Sequence, residues 1–191
     1  REYPVYYKKQ GWSEQDPEDW WNETIEGIKE LTKDIDKSQV KALSFGGQMH
    51  GLVILDENDN VIRPAILWND TRTQKETDYL NDVTGKKRLV DLTGNIAFAG
   101  FTAPKIMWVR DNEPENFSRI SKIMLPKDYI AYRLTGNHCT DVSDASGMLL
   151  LDVEHRCWSE EMLEITGIKK GQLPKLYESY DIVGSIKKDI A

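Results

Sequence analysis

An apolar run, Val40-Lys41-Ala42-Leu43-Ser44-Phe45, leads directly into Gly46-Gly47-Gln48-Met49-His50-Gly51. Val40 to Ser44 reads as a β-strand, and the glycines beyond it permit a sharp turn and a close approach of backbone to a ligand. A histidine at that point puts a titratable, hydrogen-bonding ring at the end of a sheet, where open α/β sheets hold their ligands. A neutral imidazole offers one donor and one acceptor, which suits a sugar hydroxyl. The same residues also fit a plainer description, a tight turn carrying a solvated histidine.

Elsewhere strands alternate with helices, which defines the class as α/β. Asp16-Pro17 starts a helix, an N-cap followed by proline at the first helical position, with Glu18 and Asp19 at the positive end of the dipole. Trp21, Ile25, Ile28 and Leu31 follow at helical spacing and predict one buried face, so Trp21 is read as core. Trp12 and Trp20 are left to cover a sheet edge or meet another subunit. Leu52 to Asp56 and Ile62 to Trp68 read as strands joined by the turn at Glu57-Asn58-Asp59-Asn60. Thr71 to Val83 reads as a polar surface helix. Further helices are expected over 103–110, 116–120, 126–134, closed by Gly136, and from Ser159 to Gly167. Ile123-Met124-Leu125 and Met148 to Val153 read as strands. Arg1 to Tyr7 reads as a strand already in progress, and both ends look cut from a longer chain.

The 191 residues suffice for one domain with a sizeable core, and a net charge of -7 excludes the basic stripe of a nucleic-acid binder. It leaves nucleotide binding open, because local charge outweighs net charge there. Cys139 and Cys157 form no CxxC motif, so neither a disulfide framework nor a zinc site is expected, and a reduced, cytoplasmic setting fits. No apolar run approaches membrane-spanning length, so no membrane partner is expected.

Several polar residues have two readings each. Trp68-Asn69-Asp70 ends an apolar strand. Its polar side chains either face a ligand or cap the helix near Thr71, with capping favoured for Asp70 and core packing for Trp68. Lys105 follows Pro104 at a helix start and is read as structural, its stem covering Trp108. Asp141, Ser143 and Asp144 lie in a turn-like stretch and are expected to bond their own backbone, with Asp144 kept as a cleft candidate. His138 and His155 have no partners at ligand spacing and read as surface or internally satisfied side chains.

Six blocks, in their order and spacing, resemble the N-terminal domain of the FGGY carbohydrate kinases. They are Gly11 to Pro17, Gly46 to Gly51, Arg63 to Arg72, Gly100 to Arg110, Leu125 to Tyr129 and Thr140 to Gly147. The resemblance covers nearly the whole of residues 1–191. It implies a ribonuclease H-like, actin-like ATPase fold with a mixed sheet flanked by helices. It also implies an incomplete domain, with a phosphate-binding Asp-x-Gly-Thr-Ser hairpin before Arg1 and a second domain after Ala191. In this family His50 and Met49 match a sugar-cleft pair, with Gln48, Trp68, Asn69, Asp70 and Asp144 as weaker cleft candidates.

The implied activity is ATP- and Mg2+-dependent phosphorylation of a sugar hydroxyl, and the Met-His pair matches members that act on D-xylulose. The family's catalytic base is an aspartate in a Gly-Gly-x-Asp segment that these residues do not contain. No catalytic residue, metal ligand or tightly held cofactor is therefore expected here, and the chain alone is expected to be inactive. A homodimer fits the family. Kinases of the same family acting on ribulose, gluconate or glycerol, and a non-catalytic sugar-binding module, are the alternatives.

Overall fold

The computed structural model describes all residues from Arg1 to Ala191. At its centre β1 (Glu14–Gln15) pairs antiparallel with β3 (Ala65–Ile66), and β2 (Val53–Leu55) pairs antiparallel with β4 (Lys122–Met124). A bridge between Leu52 and Ile66 joins the pairs into one array ordered β1-β3-β2-β4. Side chains alternate across a strand, so each strand feeds two cores. Leu52, Ile54, Ile66, Ile123 and Leu125 enter a cluster of 24 buried residues. Val53, Leu55, Ala65, Leu67 and Met124 enter a second of nine.

Helices close both faces. The smaller core lies under α1 (Pro17–Thr32) and α6 (Pro126–Thr135), which touch each other. The larger core holds α3 (Lys86–Thr93), α4 (Thr102–Asn112) and α8 (Glu160–Thr166), with α2 (Gln74–Asp78) packed on α4. Every residue of α4 from Thr102 to Val109 is buried, as befits a helix surrounded by protein on all sides. A parallel pair, β5 (Cys139–Asp141) with β8 (Lys175–Tyr177), and a short antiparallel pair, β6 (Leu151–Asp152) with β7 (Cys157–Trp158), complete the strands. The helix signals in the sequence hold. Asp16 accepts the Glu18 N–H at 3.0 Å, Pro17 opens α1, and α6 and α8 end on left-handed Gly136 (φ 77°) and Gly167 (φ 81°).

Five expectations are corrected. Val40 to Ser44 is not a strand. No backbone N–H from Lys41 to Gln48 donates a hydrogen bond, and a strand exists only through its ladder partner. Likewise Arg1 to Tyr7 makes a single bridge, from Tyr6 to Glu14. Trp20, expected at a sheet edge or an interface, is the deeply buried tryptophan of α1, and Trp21 packs on the margin of the same core. Trp20 is 6% exposed and its Nε1–H donates to Gln15, whereas Trp21 is half-buried beneath the Arg133 guanidinium and Leu31 is exposed. The helix after Thr71 lies at the surface as expected, but one of its faces is buried. It continues from α2 through a π-helical turn at Tyr79–Gly85 into α3, and Thr73, Glu76, Thr77 and Leu80 are buried. Met148 lies in a 3-10 turn, Ser146–Met148, so the expected strand from Met148 to Val153 shrinks to β6.

Candidate functional site

The glycine-rich segment before β2 runs against the start of α6. A Cβ on Gly47 would sit 3.0 Å from Cβ of Lys127, and one on Gly51 would sit 2.6 Å from Cγ of Pro126. Only residues without side chains let the two backbones approach this closely. Between these glycines the Gly51 N–H donates to the Met49 carbonyl at 2.8 Å, closing a three-residue turn on His50. His50 accordingly has φ 62°, a left-handed value that few non-glycine residues adopt.

That turn is held from outside. The His50 carbonyl accepts from the Lys105 ammonium at 2.9 Å and from the Thr102 hydroxyl at 3.1 Å. The same ammonium donates to the Gly100 carbonyl at 2.6 Å. Lys105 is thus structural, as expected, but it acts through its charged head and not through a stem laid over Trp108. Burial pulls its pKa down to about 7, against the attraction of Asp70.

The His50 ring is half-buried. It is tilted against Phe101 with centroids 4.7 Å apart, and it lies over Gly147, where a Cβ would collide with Cε1 and Nδ1. Its Nδ1 is buried without a hydrogen-bond partner. Burial, then the nearby Lys105 charge, holds the ring below the ordinary histidine range, which favours the neutral form with one donor and one acceptor.

The remaining candidates divide. Met49 is 46% exposed beside the ring. Trp68 is 51% exposed and is therefore not core; its carbonyl lies against Gly100, where an added Cβ would come within 2.5 Å of it. Asn69 is exposed on the same turn. Phe98 is also exposed and reaches His50 through Phe101, with centroids 5.4 Å apart. Asp144 is half-buried, within electrostatic range of His50, and burial raises its pKa against the pull of Lys127. Gln48 points elsewhere. Its amide donates to Gln15 at 2.9 Å and it lines a cavity of about 480 Å³ with Gly46, Gly47 and Lys127.

Asp70 does not cap a helix. α2 begins at Gln74, and Asp70, 1% exposed, instead accepts from the Ser13 N–H at 2.6 Å and from Arg72. Arg72 also pairs with Glu14 at 2.9 Å, Glu14 pairs with Arg63, and Arg63 reaches Glu113 at 3.4 Å. The Arg72 guanidinium stacks 3.7 Å above Trp12, which meets Trp108 edge-on at 5.3 Å, so Trp12 belongs to the interior of this chain. Asp70 is thus part of a buried ionic girder beneath the site.

Lys127 was not singled out by sequence. Its ammonium lies 2.6 Å from Asp128, 3.0 Å from Asp141 and 3.2 Å from Asp144, and these carboxylates raise its pKa against the effect of burial. The signal was the block Pro126-Lys127-Asp128 at a helix start, with the three acids supplied by two separate stretches of chain. His138 is internally satisfied, its Nε2 2.9 Å from the Ile123 carbonyl, and His155 is exposed beside Asp152. Both cysteines are free, and no group of three or more His, Cys, Asp or Glu is arranged to hold a metal ion. No helix is long and apolar enough to cross a membrane.

The strained histidine turn thus lies just before β2 and is held by the buried helix α4, with no strand leading into it. The family model described as "FGGY family of carbohydrate kinases, N-terminal domain" matches residues 1–191. The chain belongs to the FGGY family of carbohydrate kinases. Within the family it is 48% identical, over 193 residues, to a xylulose kinase of Lactococcus lactis subsp. lactis (strain IL1403), covering 100% of this chain and 38% of that protein. A crystal structure of a xyloylose kinase from Brucella ovis superimposes with a TM-score of 0.91 at 42% identity, covering 98% of this chain and 39% of that one. A gluconate kinase from Lactobacillus acidophilus superimposes with a TM-score of 0.94 at 30% identity, covering 100% and 38%. The fold is the actin-like ATPase fold of these sugar kinases, and this chain spans about two fifths of the length of the relatives it matches.

Proposed function

We propose that this chain is the sugar-facing part of a longer ATP-dependent kinase that converts D-xylulose to D-xylulose 5-phosphate. The observation that carries the reading is the His50 turn. It holds a half-buried imidazole, kept below the ordinary histidine range by burial, next in the chain to exposed Met49. A ketose offers hydroxyls for the ring and a C–H face for the thioether and the indole. Names carried by relatives at 48% and 42% identity support a xylulose substrate.

Phosphoryl transfer needs a base that orients the hydroxyl, a cradle for the triphosphate and a divalent cation. The residues here do not fit the last two. Of the two lysines beside the glycine-rich turn, Lys127 is already paired with three carboxylates and Lys105 with two backbone carbonyls, and no metal cage is present. ATP, Mg2+ and the base are therefore assigned to other parts of the kinase, and the role left to this chain is to bind and orient the sugar. A reducing cytoplasm suits its two free thiols, and a homodimer is the assembly we assign to the whole protein.

A second reading keeps the family and changes the sugar, since the gluconate kinase superimposes as well as the xylulose enzyme does. The test is ADP release by the full-length protein against ketoses, polyols and sugar acids. D-Xylulose as the best substrate supports the reading; gluconate as the best substrate replaces it; no turnover with any sugar leaves a binding module.

A further inference from the structure

We propose that Lys105 is a positioning residue for sugar binding: its ammonium, inside α4, clamps the His50 carbonyl and so aims the imidazole at the sugar. This rests on the reading of His50 as the sugar-binding ring. Three observations converge on it.

First, the His50 backbone needs a clamp. A left-handed non-glycine residue is strained and persists only where its surroundings over-determine it. At His50 those surroundings are two donors from the first turn of α4, Lys105 and Thr102, both on one carbonyl. Rotating the Met49–Gly51 turn would break both bonds and lift the ring off Gly147 and Phe101.

Second, Lys105 is an expensive way to fill space. It is fully buried, with 0% exposure, and makes no ion pair; Asp70 is committed to Ser13 and Arg72. An unpaired buried ammonium is strongly disfavoured against a methionine of similar length. Its bonds all go to carbonyls, those of His50 and Gly100, and Gly100 carries the Trp68 turn on its other side. One ammonium therefore ties together the histidine turn and the residues that lead into α4, which lie against the Trp68 backbone.

Third, its charge acts on the ring itself. Lys105 disfavours a proton on His50, as does burial. The clamp thus fixes where the ring sits and adds to burial in disfavouring a proton on it.

The test uses the full-length protein, with D-xylulose binding measured by calorimetry without nucleotide and with KM measured for sugar and ATP separately. Lys105→Met is expected to weaken D-xylulose binding about tenfold or more while the KM for ATP moves less than about twofold. Lys105→Gln keeps two N–H donors and is expected to recover part of the loss. Thr166→Val, which removes a buried hydroxyl on α8 that bonds Met162 and Leu163, is the structural control; it is expected to lower Tm and leave sugar affinity unchanged. Wild-type sugar affinity in a folded Lys105→Met overturns the proposal, as does an equal shift in sugar and ATP constants. Should Lys105→Met not fold, Lys105→Gln and Thr102→Val carry the same test, and unchanged sugar affinity in both overturns it. A wild-type protein that binds no sugar overturns the underlying reading of His50 and this proposal with it.

Discussion

At the scale of single residues, His50 sits where geometry and electrostatics agree. Burial and the Lys105 charge lower its pKa, so the folded state binds that proton less tightly than the unfolded chain. Its stabilising contribution is complete above the ordinary histidine value, about 6.5, and is lost as pH falls through the lowered one. The Tm of the wild type is therefore expected to fall further between about pH 7 and about pH 5 than that of His50→Gln, which cannot take up the proton. His138 is shifted in the same direction in both proteins and cancels from the comparison. A second residue-scale prediction concerns Gly147. A methyl there meets the imidazole, so Gly147→Ala displaces the ring; sugar KM is expected to rise by about tenfold with little change in ATP KM. A sugar KM equal to wild type would mean the ring does not lie over Gly147.

At the scale of elements, helix ends were legible because their signals are local. Asp16-Pro17, Gly136 and Gly167 each state a backbone requirement in one or two residues. Partners distant in sequence were not legible. Asp70 finds Ser13 across 57 positions, and Trp20 is chosen over Trp21 by the Gln15 amide and by a core assembled from four other elements. The parallel β5–β8 pair joins segments more than thirty residues apart for the same reason. The Met49-His50 pair was legible as a motif. The clamp on it was not, because a lysine in a helix start carries no sign of its burial. The girder of Glu14, Arg63, Arg72 and Asp70 yields the element-scale prediction. Removing one member leaves an uncompensated buried charge, so Arg72→Met is expected to destabilise the fold by about 3–5 kcal/mol in denaturant unfolding. A loss below about 1 kcal/mol would show the ions to be solvated.

At the scale of the whole molecule, the two-sided core closes around β1 to β4, while residues 41–48 run beside it without a ladder. Val40, Leu43 and Phe45 are exposed there, and so are Tyr3, Val5 and Tyr7. Extended apolar segments with free backbone groups invite pairing with another chain. In this chain alone, hydrogen exchange is expected to be fast at Lys41 to Gln48 and slow at Leu52, Ile62 and Ile66, whose N–H groups lie in the sheet. Protection of Lys41 to Gln48 that grows with protein concentration would reveal self-pairing. The central claim, however, is that the His50 turn holds a sugar for a kinase, and kinetics of His50→Ala in the full-length protein test it most directly. The account predicts that D-xylulose kcat/KM falls by about 10- to 100-fold, with the KM for ATP and the Tm near wild type. A His50→Ala protein that phosphorylates D-xylulose as efficiently as the wild type would contradict it.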